Sequence, residues 1–201
     1  MTGAVGNEEQ RSARSLLGAL GRRWPTALGL AAAASSISEL VGGTPAAGVE
    51  EALIIAIPVL VYLSAAVLDR PRSAWPVTLG AVALVFGMSE LDIEPVLGLA
   101  ATSGAVLIVG IGRRLRSGAD MPDARQIVGA LGFGTAAVLA LYLAPTLGGV
   151  LVGLGLVGHA AWDVYHHRRD IVVVRSLAEF CAVLDLLVGA AVIVLIVATA
   201  T

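Results

Sequence analysis

Long apolar runs alternate with short polar segments along the chain. They predict seven transmembrane helices, near residues 25–42, 50–68, 74–90, 95–112, 126–144, 146–165 and 177–199. Each run is close to the roughly 20 helical residues that cross a bilayer. The pattern therefore predicts an all-α polytopic membrane bundle. Residues 1–23 are expected to form a cytoplasmic tail or surface helix, and residues 24–201 a single membrane domain.

The arginines divide the connections between these helices into two kinds. All 13 basic residues are arginines, and they fall in the N-terminal tail and around the connections that follow the second, fourth and sixth predicted helices. The other three connections and the C-terminus have none. Because basic residues stay on the cytoplasmic side, seven spans with the N-terminus inside and the C-terminus outside explain the distribution. We therefore expect a multi-pass protein of the bacterial inner membrane.

Part of the sequence repeats. WPTALGLAAAASSISEL (24–40) and WPVTLGAVALVFGMSEL (75–91) are identical at eight of 17 positions, and prolines 45, 95 and 145 mark the outer turns 50 residues apart. We expect three two-helix hairpins, over about 24–73, 74–124 and 125–176, followed by a final helix at 177–199. Units with an even number of spans keep the same orientation, so the repeat would be parallel.

Composition limits the classes of function. The chain is 57% hydrophobic and 14% charged, with a net charge of −2. The lipid bilayer is therefore an expected partner and nucleic acid is not, while a homo-oligomer is left open. Cys181 is the single cysteine, which excludes an intrachain disulfide.

Two glutamates occupy equivalent positions of the repeat, near the outer ends of the first and third predicted helices. If the repeated helices pack symmetrically, Glu39 and Glu90 approach each other as outer paired acids and share a proton or bind a cation. The alternative is that both reach the outer interface and are hydrated.

The sixth predicted helix carries a row of polar side chains. At about 100° per residue, His159, Asp163 and His166 share one face of this helix. Gly148 and Gly155 continue the face towards the outside, where they are expected to leave space. Ionisable groups within a membrane usually face the protein interior or a water-filled cavity.

The seventh predicted helix places an acid beside this face. The connection between the last two helices is short, so His159, Asp163 and Asp185 are expected to meet in the cytoplasmic half of the bilayer, at a site open to the cytoplasm. His167 and Glu179 are secondary candidates, since both lie off the shared faces.

Three interpretations fit these residue types. Imidazole and carboxylate at i, i+4, with a third ligand from the next helix, suit zinc or iron as a cofactor, and such a site fits metal-dependent hydrolysis or oxidation of a lipid. Proton- or cation-coupled transport is an alternative, because histidine titrates near neutrality and aspartate relays protons. The third interpretation is a structural or stress-related membrane protein without catalysis. No catalytic residue is assigned among the candidates.

Seven spans with His159, Asp163 and His166 inside the membrane resemble membrane hydrolases such as the alkaline ceramidases, and more distantly the histidine-cluster lipid hydroxylases and desaturases. The two-helix repeat resembles that of small bacterial acid-resistance membrane proteins. The chain departs from these patterns: it has three histidines, against eight in the desaturase pattern, and its last predicted helix has none. No family is assigned from these resemblances.

The arginine pattern makes a testable prediction about topology. Reporter fusions after Ala119 and after Val174 should report the cytoplasm, and a fusion after Thr201 should report the outside, because an odd number of spans separates the two termini. Paired alkaline phosphatase and fluorescent protein fusions measure this. A C-terminus on the cytoplasmic side would contradict seven spans.

Overall fold

A computed structural model describes residues 18, 21, 23–43, 47–118 and 120–200. Within them the chain forms seven long helices and no strand, which confirms the all-α class. The helices are α1 (Trp24–Gly42), α2 (Ala52–Leu68), α3 (Ala74–Glu90), α4 (Pro95–Ser117), α5 (Ala124–Ala140), α6 (Pro145–Arg169) and α7 (Arg175–Ala200). A one-turn helix, Ala47–Glu50, precedes α2, and a 3₁₀ turn, Pro71–Ser73, precedes α3.

Four helical segments are long and apolar enough to cross a membrane. They are Ala47–Leu68, Pro95–Ser117, Pro145–Arg169 and Arg175–Thr199 among the described residues, and Ala124–Ala140 is a shorter apolar helix. The length and the composition of these helices therefore support a membrane protein. That all seven helices span the bilayer, with the N-terminus inside, stays a prediction.

Local sequence explains where several helices begin and end. Proline occupies the first position of α4 and α6, where its missing N–H costs no hydrogen bond. The Glu94 carboxylate caps α4 by accepting from the Leu97 backbone N–H at 2.7 Å. Gly118 ends α4 with φ of 64°, a left-handed conformation that glycine adopts without a steric penalty.

Helix α2 occupies the centre of the bundle. It is buried along most of its length and packs against α3, α4, α5 and α6. Helix α7 lies closely against α6 and α1, and it approaches α2 much less closely. The bundle thus has a core around α2 and a second layer formed by α1 and α7.

Glycines let α6 and α7 approach closely. A Cβ added at Gly189 would lie 2.9 Å from the Gly153 carbonyl oxygen and 2.9 Å from Leu156 Cβ. The expectation that Gly148 and Gly155 leave open space is wrong. A Cβ at Gly148 would lie 2.6 Å from the Ala140 carbonyl oxygen, and one at Gly155 would lie 2.8 Å from Ile55 Cδ1. These glycines serve close helix packing.

The connection between α6 and α7 is tight. Asp170 ends α6 in a left-handed conformation. Val172 also has a positive φ, 65°, and the Val173 N–H donates to the Ile171 carbonyl at 2.7 Å, which closes a three-residue turn. Since this conformation is unusual for a β-branched residue, the turn is held by its surroundings, where Val173 is buried. It sets α7 directly beside α6.

The proposed repeat units differ in their packing. Trp24 and Trp75, which are equivalent in the repeat, are in contact, with ring centroids 5.3 Å apart. Gly29 packs against the Phe180 carbonyl of α7, whereas among the described residues no neighbouring atom lies within 4 Å of a Cβ added at its counterpart Gly80. The symmetry of the repeat stays a prediction. Most of the 1–23 tail lies outside the described residues.

The close contact at Gly189 predicts a loss of stability when a side chain is added. Gly189→Ala should lower the free energy of unfolding by about 1–3 kcal/mol, because the methyl group meets backbone and Cβ atoms that cannot easily move. Gly80→Ala is the matched control and should be neutral or slightly stabilising, since its surroundings are open. Thermal unfolding in detergent, followed by tryptophan fluorescence, measures both. Equal melting temperatures for the two variants would contradict the packing described.

Candidate functional site

A histidine between two aspartates forms the centre of the candidate site. His159 Nδ1 lies 3.1 Å from Asp163 Oδ2, one turn along α6, and 2.8 Å from Asp185 Oδ2 on α7. The i, i+4 spacing accounts for the first contact, and the tight α6–α7 connection accounts for the second. The structure thus brings together the three residues that the sequence predicts to meet.

The site is enclosed by protein. His159, Asp163, His166 and Asp185 are each at most 1% exposed. Phe133 of α5 packs its ring against His159, with centroids 4.9 Å apart. The expectation of a site open to the cytoplasm is therefore not met, because the surrounding helices cover all four side chains.

Tyr62 of α2 connects the centre of the bundle to the site. Its hydroxyl donates to Asp163 Oδ1 at 2.6 Å, so this aspartate contacts a donor with one oxygen and His159 with the other. A hydrogen bond of this kind fixes the orientation of a carboxylate before it binds anything else. Tyr62 is also in edge contact with both His159 and His166.

The charges of the three central residues do not balance. A protonated imidazole carries one positive charge, and two ionised aspartates carry two negative charges. His159 Nδ1 has at most one hydrogen for two carboxylate oxygens, and Asp185 Oδ1 is buried without a hydrogen-bond partner. Unpaired charge in an apolar interior is costly. If both aspartates were ionised, a further proton or a metal ion would balance their charge.

His166 occupies a separate place in the network. Its Nδ1 lies 2.8 Å from the Trp162 carbonyl oxygen, which only accepts, so Nδ1 carries the hydrogen. Its Nε2 then accepts from the Gln126 amide at 2.8 Å. Both ring nitrogens of His166 are engaged, so this residue positions Tyr62 and α5. The three potential metal ligands are His159, Asp163 and Asp185.

The two secondary candidates lie elsewhere. His167 Nδ1 contacts the Arg175 carbonyl oxygen at 3.1 Å and so ties α6 to the start of α7. Glu179 accepts a hydrogen bond from the Thr26 hydroxyl and lies 3.6 Å from the Arg23 guanidinium. Glu179 therefore fastens α7 to α1.

Glu39 and Glu90, the outer paired acids, are both exposed near the ends of α1 and α3. Glu39 lies near Glu51, which is buried just before α2 and lies beside Ser36. An approach of Glu39 to Glu90 stays a prediction.

The sequence reasoning missed Tyr62 and Gln126. Tyr62 lies in the middle of an apolar run, whereas tyrosine in membrane helices is concentrated at the interfaces, and this unusual position is a signal that could have found it. Gln126 begins a helix near the arginine-rich connection, where a polar residue is ordinary, and gives no such signal. Tyr62 comes from α2, which is distant in sequence from α6, whereas Gln126 comes from α5, the helix that directly precedes α6.

Comparison with known proteins adds no relative. No protein-family model matches the chain, and neither does a curated protein or a solved structure. The class that the fold and site define is therefore a helical membrane protein with a buried His/Asp cluster.

The cluster has the donor set of a metal site. One ligand atom from each of His159, Asp163 and Asp185 lies within 4.8 Å of the others. Nitrogen and carboxylate ligands suit zinc or iron.

The Tyr62 hydrogen bond predicts a stability effect. Tyr62→Phe removes a donor from a buried carboxylate oxygen and should lower the free energy of unfolding by about 1–3 kcal/mol. Tyr142→Phe is the control, because Tyr142 is 71% exposed. Thermal unfolding of the two purified variants gives the comparison, and an unchanged melting temperature for Tyr62→Phe would contradict the role assigned to the hydroxyl.

Proposed function

We propose that this protein is a metal-dependent enzyme of the bacterial inner membrane, with seven spans and a cytoplasmic N-terminus, that acts on lipids. The site is the cluster of His159, Asp163 and Asp185 between α6 and α7. The orientation follows from the arginine distribution and places this cluster in the cytoplasmic half of the bilayer.

One observation carries the proposal. The unpartnered Asp185 Oδ1 belongs to a cluster in which two carboxylates face one imidazole nitrogen, and a divalent cation there would neutralise the excess negative charge. Three protein ligands resemble catalytic rather than structural zinc sites, because they leave a coordination position for water or substrate. Bound zinc or iron would supply Lewis-acid or oxidative chemistry, and Tyr62 would hold the Asp163 carboxylate in place.

Metal analysis tests the proposal directly. Protein purified in detergent without chelators should contain zinc or iron at close to one ion per chain. His159→Ala and Asp185→Asn should each reduce the bound metal by at least about tenfold, since each removes a ligand. Asp170→Asn is the matched control, because Asp170 is exposed at the end of α6, and it should keep the metal. Absence of metal from the unmodified protein after incubation with zinc or iron would contradict the proposal.

Proton- or cation-coupled transport is the second candidate, and the polar path through the bundle favours it. Hydrogen bonds link the Tyr62 hydroxyl to Asp163, Asp163 to His159, and His159 to Asp185. In this case the additional positive charge is a proton on Asp185.

Proteoliposomes separate the two candidates. Transport predicts a pH change in the lumen that Asp185→Asn abolishes and Asp170→Asn preserves, with no metal bound. If neither metal nor transport is found and Asp185→Asn changes only thermal stability, the cluster is a structural lock between α6 and α7, and both proposals fail.

A further inference from the structure

A cavity of about 180 Å³ lies between α2, α3 and α7, next to the cluster. Most of its lining is apolar, including Ile57 and Val61 of α2 and Leu177, Phe180 and Leu184 of α7. Asp185 forms part of the wall. One of the three residues of the proposed site therefore borders an apolar cavity.

Asp185 is the lining residue with an unused acceptor. Two other lining residues carry oxygen atoms, but the Thr78 hydroxyl donates to the Ala74 carbonyl at 2.8 Å and the Tyr62 hydroxyl donates to Asp163 at 2.6 Å. Asp185 is only 1% exposed and its Oδ1 has no partner. An occupant of the cavity would thus meet almost entirely apolar walls, next to the buried Asp185.

The arrangement of α3 and α7 explains why the cavity exists. The two helices are in contact near their N-terminal ends. There Trp75 Nε1 donates to Ser176 Oγ at 3.0 Å, and the ring centroids of Trp75 and Phe180 lie 5.6 Å apart. Further towards the C-terminal end of α3, Val82 lines the cavity and is 37% exposed on the surface of the helix bundle. Val82 therefore marks the side from which the bilayer reaches the cavity.

We propose that this cavity binds one hydrocarbon chain of a membrane lipid or free fatty acid, which enters from the bilayer past Val82 and lies against the wall that Asp185 helps to form. The assignment of this chain as substrate rests on the proposed function, because Asp185 belongs to that site. Binding of the chain itself depends only on the cavity.

The size of the cavity selects a chain over a larger occupant. A helix with its side chains is about 10–12 Å across, and drug-sized ligands fill pockets of about 300–1,000 Å³. An apolar cavity of about 150 Å³ is known to hold a group the size of benzene. At about 180 Å³ the cavity accepts a short stretch of hydrocarbon and excludes a helix from a second copy of the chain.

The depth of Asp185 defines which part of the lipid it meets. Asp185 is ten residues into α7, or about 15 Å at 1.5 Å per residue. With Arg175 at the cytoplasmic boundary, this depth lies well inside a hydrocarbon core about 30 Å thick. The site would therefore meet carbon atoms along the chain, and the headgroup and its ester bonds would remain at the interface.

Photolabelling in lipid nanodiscs tests the proposal. The probes are palmitic acid with a diazirine at its middle carbon and a phosphatidylcholine with the same group in one acyl chain. Mass spectrometry should locate label on the cavity residues Leu177, Phe180 or Leu184, and excess unlabelled palmitic acid or phosphatidylcholine should compete. Whichever probe labels the cavity identifies the source of the chain.

Two matched variants of α3 control the experiment. Val82→Trp fills the entrance and should reduce cavity labelling by about tenfold, as expected when a group is excluded from an apolar pocket. Leu79→Trp lies on the same helix, is 68% exposed and does not line the cavity, so its labelling should not change. Label spread evenly over the lipid-facing surface, or equal labelling of the two variants, would overturn the proposal.

Metal content measured on the same samples separates this proposal from the preceding one. Cavity labelling without bound zinc or iron would leave chain binding standing and refute the metal site. Bound metal without cavity labelling would refute chain binding and leave the metal site standing.

Discussion

The buried contact of His159 with Asp163 and Asp185 is the interaction on which the rest of the structure depends. It places two acids and one base where water and lipid headgroups are excluded. A single aspartate at the centre of a membrane helix costs about 2.5–3.5 kcal/mol on insertion scales. His159 reduces the cost of burying each of the two aspartates, because it lies within hydrogen-bond distance of both.

Close helix packing makes this contact possible. Asp185 has a short side chain and reaches His159 only because α7 lies directly against α6, where Gly153 and Gly189 face each other. In a bilayer, apolar side chains gain little by leaving lipid for protein, so small residues that permit close approach determine which helices associate. The glycines and the tight turn at Val172 therefore position the residues of the site, although they do not belong to its polar network.

The same packing leaves α2 and α7 apart at the level of Asp185. Tyr62 fills part of this gap with its ring and directs its hydroxyl to Asp163. The remaining space is apolar and lies at the depth of lipid chains. A buried His/Asp cluster thus adjoins a hydrocarbon-sized cavity, and this combination is the basis of our proposal that the protein acts on lipids.

The sequence by itself determined the positions of the helices and the central residues of the site. Long apolar runs specify helix positions because backbone groups in lipid must be hydrogen-bonded internally, and the i, i+4 spacing places His159 beside Asp163 on one face. The short α6–α7 connection brings Asp185 to them. Only the tertiary structure decided that Tyr62 and Gln126 join the network and that Gly148 and Gly155 are packed. The physical reason is that periodicity identifies the face of a helix, whereas the neighbour that covers this face depends on shape complementarity between separate helices.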